Sequence, residues 1–237
     1  MEKELIRVFI GYDHVEEISY SVLASSLSRY SSQPLSITPI RLSHLPEISR
    51  ERDPKQSNDF AFSRWLVPYL CNYEGWAIFM DCDFLARDDI AKLWAMRDDK
   101  YAVQVVKHDY VPKTDLKFLG QEQTKYFRKN WSSMMLINCA KCKALTPEYV
   151  NTAHGLALHR FEWLESEDLI GEIPKEWNWL VGEYDFNQDA KLIHFTIGGP
   201  WFFEYFGTDY AEEWNDARQY ALHCEQLVIP TVKHSSR

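Results

Sequence analysis

Apolar residues fall in short runs separated by polar stretches, and the spacing within each run predicts its element. Arg7 to Ile10 reads as a strand ending in the turn Gly11-Tyr12-Asp13. From His14 to about Tyr30 the apolar positions Tyr20, Leu23, Leu27 and Tyr30 recur at helical spacing. Leu35 to Ile40 predicts a second strand. Strand, helix and strand in that order imply a parallel βαβ unit.

Pro39 to Lys55 is polar and irregular. Ser57, Asn58 and Asp59 then offer caps for a helix running to about Tyr73, which Pro68 should kink or end. Trp76 to Met80 is a short buried strand that leads directly into Asp81-Cys82-Asp83. Asp88 or Asp89 starts another helix carrying Leu93 and Trp94, and Tyr101 to Val106 is a further strand. His108 to Lys129 reads as a long polar excursion. Ser133 to Asn138 is strand-like, Ala140 to Leu145 begins a helix and Asn151 to Trp163 is helical. Ile173 to Trp179, Lys191 to Thr196 and Pro200 to Phe206 complete the regular part, before a polar helix from Tyr210 to Leu222. No repeat, low-complexity tract or linker interrupts this order. The expectation is one α/β domain over residues 1–237: a nucleotide-binding half over about 1–107 and an acceptor-binding, metal-completing half over about 108–237.

Composition narrows the function. Hydrophobic residues at 46% and charged residues at 26% are those of an ordinary globular protein. A formal net charge of -9 argues against a nucleic-acid surface, and it means that an anionic ligand needs a local cation. The five cysteines, Cys71, Cys82, Cys139, Cys142 and Cys224, are odd in number and lack framework spacing, so reduced thiols in a cytoplasm-like compartment are expected. Cys139 and Cys142 form a C-x-x-C with no second pair to complete a zinc site. The start, MEKELIRVFIGYD, reads as a charged lead and a strand rather than a signal peptide. No apolar run approaches the roughly 20 residues that span a bilayer. A cytoplasmic protein, peripheral at most to the inner membrane face, is the expectation. Aromatic residues at 15% leave some rings beyond the core for stacking on pyranose faces.

The informative chemistry is the triplet Asp81-Cys82-Asp83 directly after an apolar strand. Side chains alternate along extended chain, so Asp81 and Asp83 share a face at roughly 6–7 Å along the backbone. Two carboxylates at the carboxyl end of a buried strand sit where open α/β sheets bind ligands. Their hard oxygens select magnesium or manganese. A reaction that expels a nucleoside diphosphate builds charge on the leaving phosphate, which such a cation stabilises as a Lewis acid. A turn or a helix start is the structural alternative for the triplet. A phosphohydrolase of the haloacid dehalogenase type also uses strand-D-x-D, but on its first strand and with a threonine following; here Phe84 follows.

These residues, in their order, resemble the GT-A-fold glycosyltransferases, and among them the glycogenin-like group that includes bacterial lipopolysaccharide galactosyl- and glucosyltransferases. Val8 to Asp13 is similar to that family's first strand and nucleotide-binding turn. Phe62 to Leu70 is similar to its arginine-bearing helix, and Asp81 to Leu85 with Leu93-Trp94 to its D-x-D strand and the helix beyond. Trp131 to Asn138 is similar to the strand that closes over the donor sugar, Ile173 to Trp179 to a late family segment, and Lys191 to Phe195 to the strand bearing the third metal ligand. The resemblance implies a metal-dependent, retaining hexosyltransferase with a mainly parallel sheet, a UDP-sugar as donor and a saccharide, lipid-linked or protein acceptor. It implies that Gly11, Tyr12, Asp13, Arg64, Asp81, Asp83 and Asn138 bind the donor. It also implies that Asp81, Asp83 and His194 bind Mn2+ or Mg2+. No residue is implied as nucleophile.

The chain departs from the family at two places. The run His194-Phe195-Thr196-Ile197-Gly198-Gly199-Pro200-Trp201 is short, and Gly199 stands where the family carries a phosphate-binding lysine. The family's acidic D-Q-D residue has three candidates here, Glu162, Glu165 and Glu167. Two other functions compete. A nucleotidyltransferase shares the sheet and the metal but carries a glycine-rich basic loop after its first strand, where this chain has the acidic Gly11 to Glu17 segment. A non-catalytic carbohydrate-binding protein explains the aromatics but not the strand-end carboxylates.

Overall fold

The structure is a computed structural model, and it describes residues 4–52, 56, 58–121, 123 and 126–222. Ser57, proposed above as a cap, and Cys224 lie outside the described residues. The chain opens with β1 (Ile6–Gly11), α1 (Glu17–Tyr30) and β2 (Leu35–Ile40). β1 and β2 pair in parallel, as the βαβ reading requires. α1 buries Val22, Leu23 and Leu27. It also buries Ser19 and Ser26, whose hydroxyls have a structural use described below.

The middle of the chain gives α2 (Val67–Leu70), β3 (Trp76–Met80), β4 (Phe84–Ala86), α3 (Ile90–Trp94), β5 (Val103–Val105) and β6 (Met134–Asn138). The long helix expected before Tyr73 is absent. A 3-10 turn over Ser63–Leu66 passes into the short α2, and Pro68 lies in the first turn of α2. Proline has no N–H to contribute there, so it starts the helix rather than kinking one already formed. Asn72 and Tyr73 then take positive φ and end it. Asp89 caps α3 by accepting from the Ala91 N–H at 2.9 Å.

The last third gives α4 (Pro147–Thr152), α5 (Gly155–His159), β7 (Ile170–Glu172), β8 (Trp179–Leu180), β9 (Leu192–His194) and α6 (Ala211–Leu222). The helix expected over Asn151 to Trp163 is two helices. Ala153 and His154 are extended between them, and the His154 side chain caps α5. The helix expected from Ala140 is only a 3-10 turn over Cys139–Lys141.

Two sheets form. The larger has the order β2-β1-β3-β6-β5-β7, and the smaller has the order β4-β9-β8. In the larger sheet β6 alone runs against its neighbours, pairing antiparallel with both β3 and β5. The remaining strands point one way, so the sheet is mainly parallel, as expected. Its core holds Trp65, Trp177, Phe60 and Phe79. A second cluster, with Trp214, Phe195, Leu85 and Ile193, packs α6 and the start of α1 against the small sheet.

Candidate active site

Asp81-Cys82-Asp83 is the joint between the two sheets, because β3 ends at Met80 and β4 begins at Phe84. The joint is held on three sides. The Asp81 N–H donates to Ser133 O at 2.8 Å, and the Phe195 N–H donates to Asp83 O at 2.9 Å. The Ser19 hydroxyl of α1 donates to Cys82 O at 2.6 Å. Ser26 reinforces this by accepting from the Ala86 N–H at 3.2 Å. Alternation does the rest: the Cys82 side chain is fully buried, while Asp81 and Asp83 line a cavity of about 650 Å³.

His194 reaches the same cavity from β9, which pairs antiparallel with β4 so that Phe84 faces His194. The Phe84 ring stacks on the imidazole at 4.2 Å between centroids. Nδ1 of His194 lies 2.9 Å from Asn178 Oδ1. The Asn178 amide nitrogen donates to Ser133 Oγ at 2.9 Å, which leaves its oxygen facing the imidazole. This network assigns a proton to Nδ1 and leaves Nε2, 3.4 Å from Asp83 Oδ2, as the nitrogen that faces the carboxylates. One ligand atom from each of Asp81, Asp83 and His194 lies within 4.8 Å of the others. Among the described residues Asp83 Oδ1 has no hydrogen-bond partner, although it is buried. Two carboxyls, an imidazole oriented by Asn178 and an orphaned acidic oxygen form a donor set that fits a hard divalent cation.

Arg64 joins the site by a different contact from the expected one. Its Nη1 lies 2.8 Å from Asp81 Oδ1 and donates to Ser132 O at 3.0 Å, over the Phe60 and Phe79 rings. The two carboxyls of the triplet are consequently unlike. Burial, with the Asp83 charge, pushes Asp81 up to about 6 despite Arg64 beside it. Burial pushes Asp83 the same way, but His194, Lys117 and the residue's own backbone N–H outweigh it and hold Asp83 below the usual carboxylate range.

The remaining expected donor residues divide. Gly11 ends β1 against the Phe60 ring, where an added Cβ would meet ring carbons at 2.3 Å. Tyr12 is buried edge-on to Tyr20. Asp13 is spent on two backbone N–H groups, those of Val15 and Asp59, each at 3.0 Å. None of the three lines the cavity; Glu16, one turn on, does. Asn138 is a correction. β6 runs antiparallel to β3, with Trp76 opposite Asn138 and Met80 opposite Met134, so Asn138 lies at the far end of the sheet from Asp81. The end of β6 near the site is its start, at Ser132 and Ser133. Glu162, Glu165 and Glu167 also lie outside the cavity lining; Glu167 pairs with Arg128.

Several cavity residues carried no signal in the sequence. Lys117, Tyr126, Lys129 and Asn130 come from the excursion between β5 and β6, which looked merely polar. Asn178 sits in the Trp177-Asn178-Trp179 run, where only the tryptophans stood out. Gly199 now has a physical reason. A Cβ there would lie 1.9 Å from the Trp201 ring, so no lysine fits while Trp201 packs on Phe195 and Trp214.

Among the described residues no helix is long and apolar enough to cross a membrane. No family model matches the chain. Solved structures share its fold. The bifunctional glycosyltransferase WbbM, in its apo structure, superposes with a TM-score of 0.64 at 16% identity, covering 92% of this chain and 50% of that one. GlyE, a glycosyltransferase of Streptococcus pneumoniae TIGR4, superposes at 0.60 with 14% identity, covering 93% and 62%. This chain thus spans half to two thirds of those proteins. It spans 96% of the galactosyltransferase LgtC, solved with donor and acceptor sugar analogs, at a TM-score of 0.54 and 9% identity. The fold is therefore that of the GT-A glycosyltransferases. A curated Arabidopsis thaliana protein, Protein CDI, is 47% identical over 230 residues, covering 92% of this chain and 88% of its own. This chain belongs to the family of Protein CDI, built on the GT-A glycosyltransferase fold.

Proposed function

We propose that this chain is a metal-dependent glycosyltransferase that moves a hexose from a nucleoside diphosphate sugar, a UDP-sugar first among the candidates, to a saccharide, lipid-linked or protein acceptor. The observation that carries the reading is the convergence of Asp81, Asp83 and His194 from two sheets on one cavity. Its volume of about 650 Å³ falls in the range of cavities that enclose a small organic ligand. In this reading the half up to about residue 107 supplies the two carboxylates and Glu16, the half from about 108 supplies the histidine and the cavity's cover, and the two act as one domain. The four described cysteines are free and buried, which suits a reducing cytoplasm.

Asp81, Asp83 and His194 would hold Mn2+ or Mg2+. The bound cation supplies Lewis-acid stabilisation of the leaving diphosphate. The chain's own residues do the rest. Asn178 keeps the imidazole in the tautomer that can ligate. Arg64 holds the Asp81 carboxylate ionised against its burial and fixes its direction. The Glu16 carboxyl, which burial and the Asp83 charge push well above the usual range, keeps a third negative charge out of the floor. No carboxylate is placed as a nucleophile, which agrees with a retaining transfer in which leaving oxygen and acceptor meet on one face. The acidic turn Gly11 to Glu17 favours this chemistry over nucleotidyl transfer.

A panel of nucleotide sugars tests the reading. Release of free nucleoside diphosphate should require Mn2+ or Mg2+, stop with chelator and vanish in Asp83→Asn. A protein that binds sugars but releases no nucleotide from any donor would be a carbohydrate-binding protein instead.

A further inference from the structure

The floor of the cavity is acidic. Glu16, Asp81 and Asp83 all line it; with Glu16 held neutral as above, the two aspartates would cancel a single divalent cation, and Arg64 alone would remain as surplus charge for a ligand that brings two phosphates. Arg64 is already turned to Asp81 and Ser132. The Gly198-Gly199 loop after β9 cannot supply a cation, because Trp201 fills the space beside Gly199.

The excursion between β5 and β6 does supply one. Residues 114–121 and Gln123 form a strap tied at both ends. The Lys117 N–H donates to Gln121 O at 2.8 Å, and the Gln123 N–H donates to Asp115 O at 2.8 Å. The buried Glu183 carboxylate accepts from the Lys113 N–H at 2.9 Å and from the Gln123 amide at 3.0 Å. The strap is then fastened to the loop that follows His194. The Phe118 N–H donates to Ile197 O at 2.8 Å, and the Phe118 ring stacks on Phe202 at 4.8 Å between centroids. Gly198 has φ of +151°, and a Cβ on it would meet Tyr205 at 2.6 Å and Phe118 at 3.0 Å. The glycine is thus needed for the strap to seat. The seated strap carries the Lys117 side chain into the cavity, within electrostatic reach of Asp83, Asp81 and Glu16.

We propose that Lys117 is the residue that binds the phosphates of the donor, delivered across the cavity by the strap instead of along the chain after His194. This rests on the nucleoside diphosphate reading above. An ammonium beside Asp81, Asp83 and Glu16 would be free to meet incoming phosphate oxygens in a site where the two aspartates held a divalent cation. The charge that balances the acidic floor therefore becomes part of the donor site. The strap also covers the donor, since Lys117 and Phe118 are adjacent and both line the cavity.

Calorimetric titration separates this proposal from the one it rests on. The probes are UDP, GDP, inorganic pyrophosphate and the matching free nucleosides, each with Mn2+, against wild type and Lys117→Met, with thermal melts to confirm the fold. Methionine keeps the apolar stem and removes the charge. If that variant loses its cooperative melt, Lys117→Gln takes its place. The expected result is a roughly 10- to 100-fold loss of nucleoside diphosphate and pyrophosphate affinity, the worth of one charge-assisted hydrogen bond, with nucleoside affinity unchanged. If wild type binds a diphosphate and the variant binds it equally well, Lys117 is not the phosphate ligand, although the donor reading stands. If wild type binds neither diphosphate nor pyrophosphate, both fall together.

Discussion

The acidic and basic walls of the cavity are built in opposite ways. Asp81 and Asp83 leave the buried end of β3, are braced by Ser133, Phe195 and Ser19, and join two sheets. Lys117 and Lys129 stand on irregular chain whose shape depends on contacts made far away in sequence, to Ile197, Phe202 and Glu183. Burial also treats the two walls differently. It pushes Asp81 up to about 6 and Lys129 down to about 7, so one group on each wall is drawn toward neutrality. A strand end can hold charges rigidly for a metal, whose geometry is demanding. A strap can bring charge to a ligand that comes and goes.

Changes to the acidic wall should produce the largest effects. Asp83→Asn keeps the shape of the side chain and removes a charge from the proposed metal site. Metal-dependent nucleoside diphosphate release should fall by about 10³-fold with an unchanged melting temperature. Wild-type turnover at saturating Mn2+ would break the assignment of this wall to a metal.

Arg64→Leu tests whether the wall needs its internal counter-charge. Removing one partner of a buried ion pair leaves the other uncompensated, at a cost of about 3–5 kcal/mol. Urea unfolding should show that loss in the apo protein, with Mn2+ restoring part of it. A stability close to wild type would mean that Arg64 serves the donor rather than Asp81.

Asn178→Ala leaves all three ligand side chains in place and frees the imidazole to change tautomer. Mn2+ affinity should drop roughly 10- to 100-fold, as for other groups that orient a ligating histidine. His194→Ala should lose at least as much. Equal affinity in both variants and wild type would make His194 a packing residue stacked on Phe84.

The smallest effect concerns the root of the strap. His108 is buried, and burial, with His194 and Lys175, lowers its pKa from 6.5 to about 3. A lowered pKa means that the folded state binds fewer protons than the unfolded chain. The stabilisation is therefore complete above pH 6.5 and is lost progressively as the pH falls toward 3, by up to about 1.4 kcal/mol per unit. His108→Phe should flatten the dependence of melting temperature on pH between 6.5 and 4. An unchanged slope would place the acid sensitivity elsewhere, with His159 as the next candidate because burial lowers it to about 3 as well.

The legible parts of this protein were those whose signal is local. The continuous apolar run Trp76 to Met80 gave β3, and the alternation of Asp81, Cys82 and Asp83 after it gave the face of the proposed metal site. The βαβ start and the capped helix at Asp89 were readable for the same reason. The helices around Pro68 and between Thr152 and Gly155 misled because single residues broke them: a proline suited to a first turn, and a histidine whose side chain caps its own helix. Asn138 misled because a strand's direction relative to its neighbours is not written in its own residues.

By itself the sequence determined that an α/β sheet would present two carboxylates at a strand end in an acidic protein, and hence that a cation would be needed there. Strand periodicity and side-chain charge suffice for that. Tertiary structure alone decided what completes the site. It brought His194 beside Asp83 through the pairing of β9 with β4, and set the imidazole tautomer through Asn178. It turned Arg64 to Asp81, and closed Gly199 to any side chain with the Trp201 ring. It carried Lys117 in from a stretch that looked only polar. These outcomes depend on contacts between segments tens of residues apart, and the energy of such contacts is set by packing and burial, which no local pattern encodes.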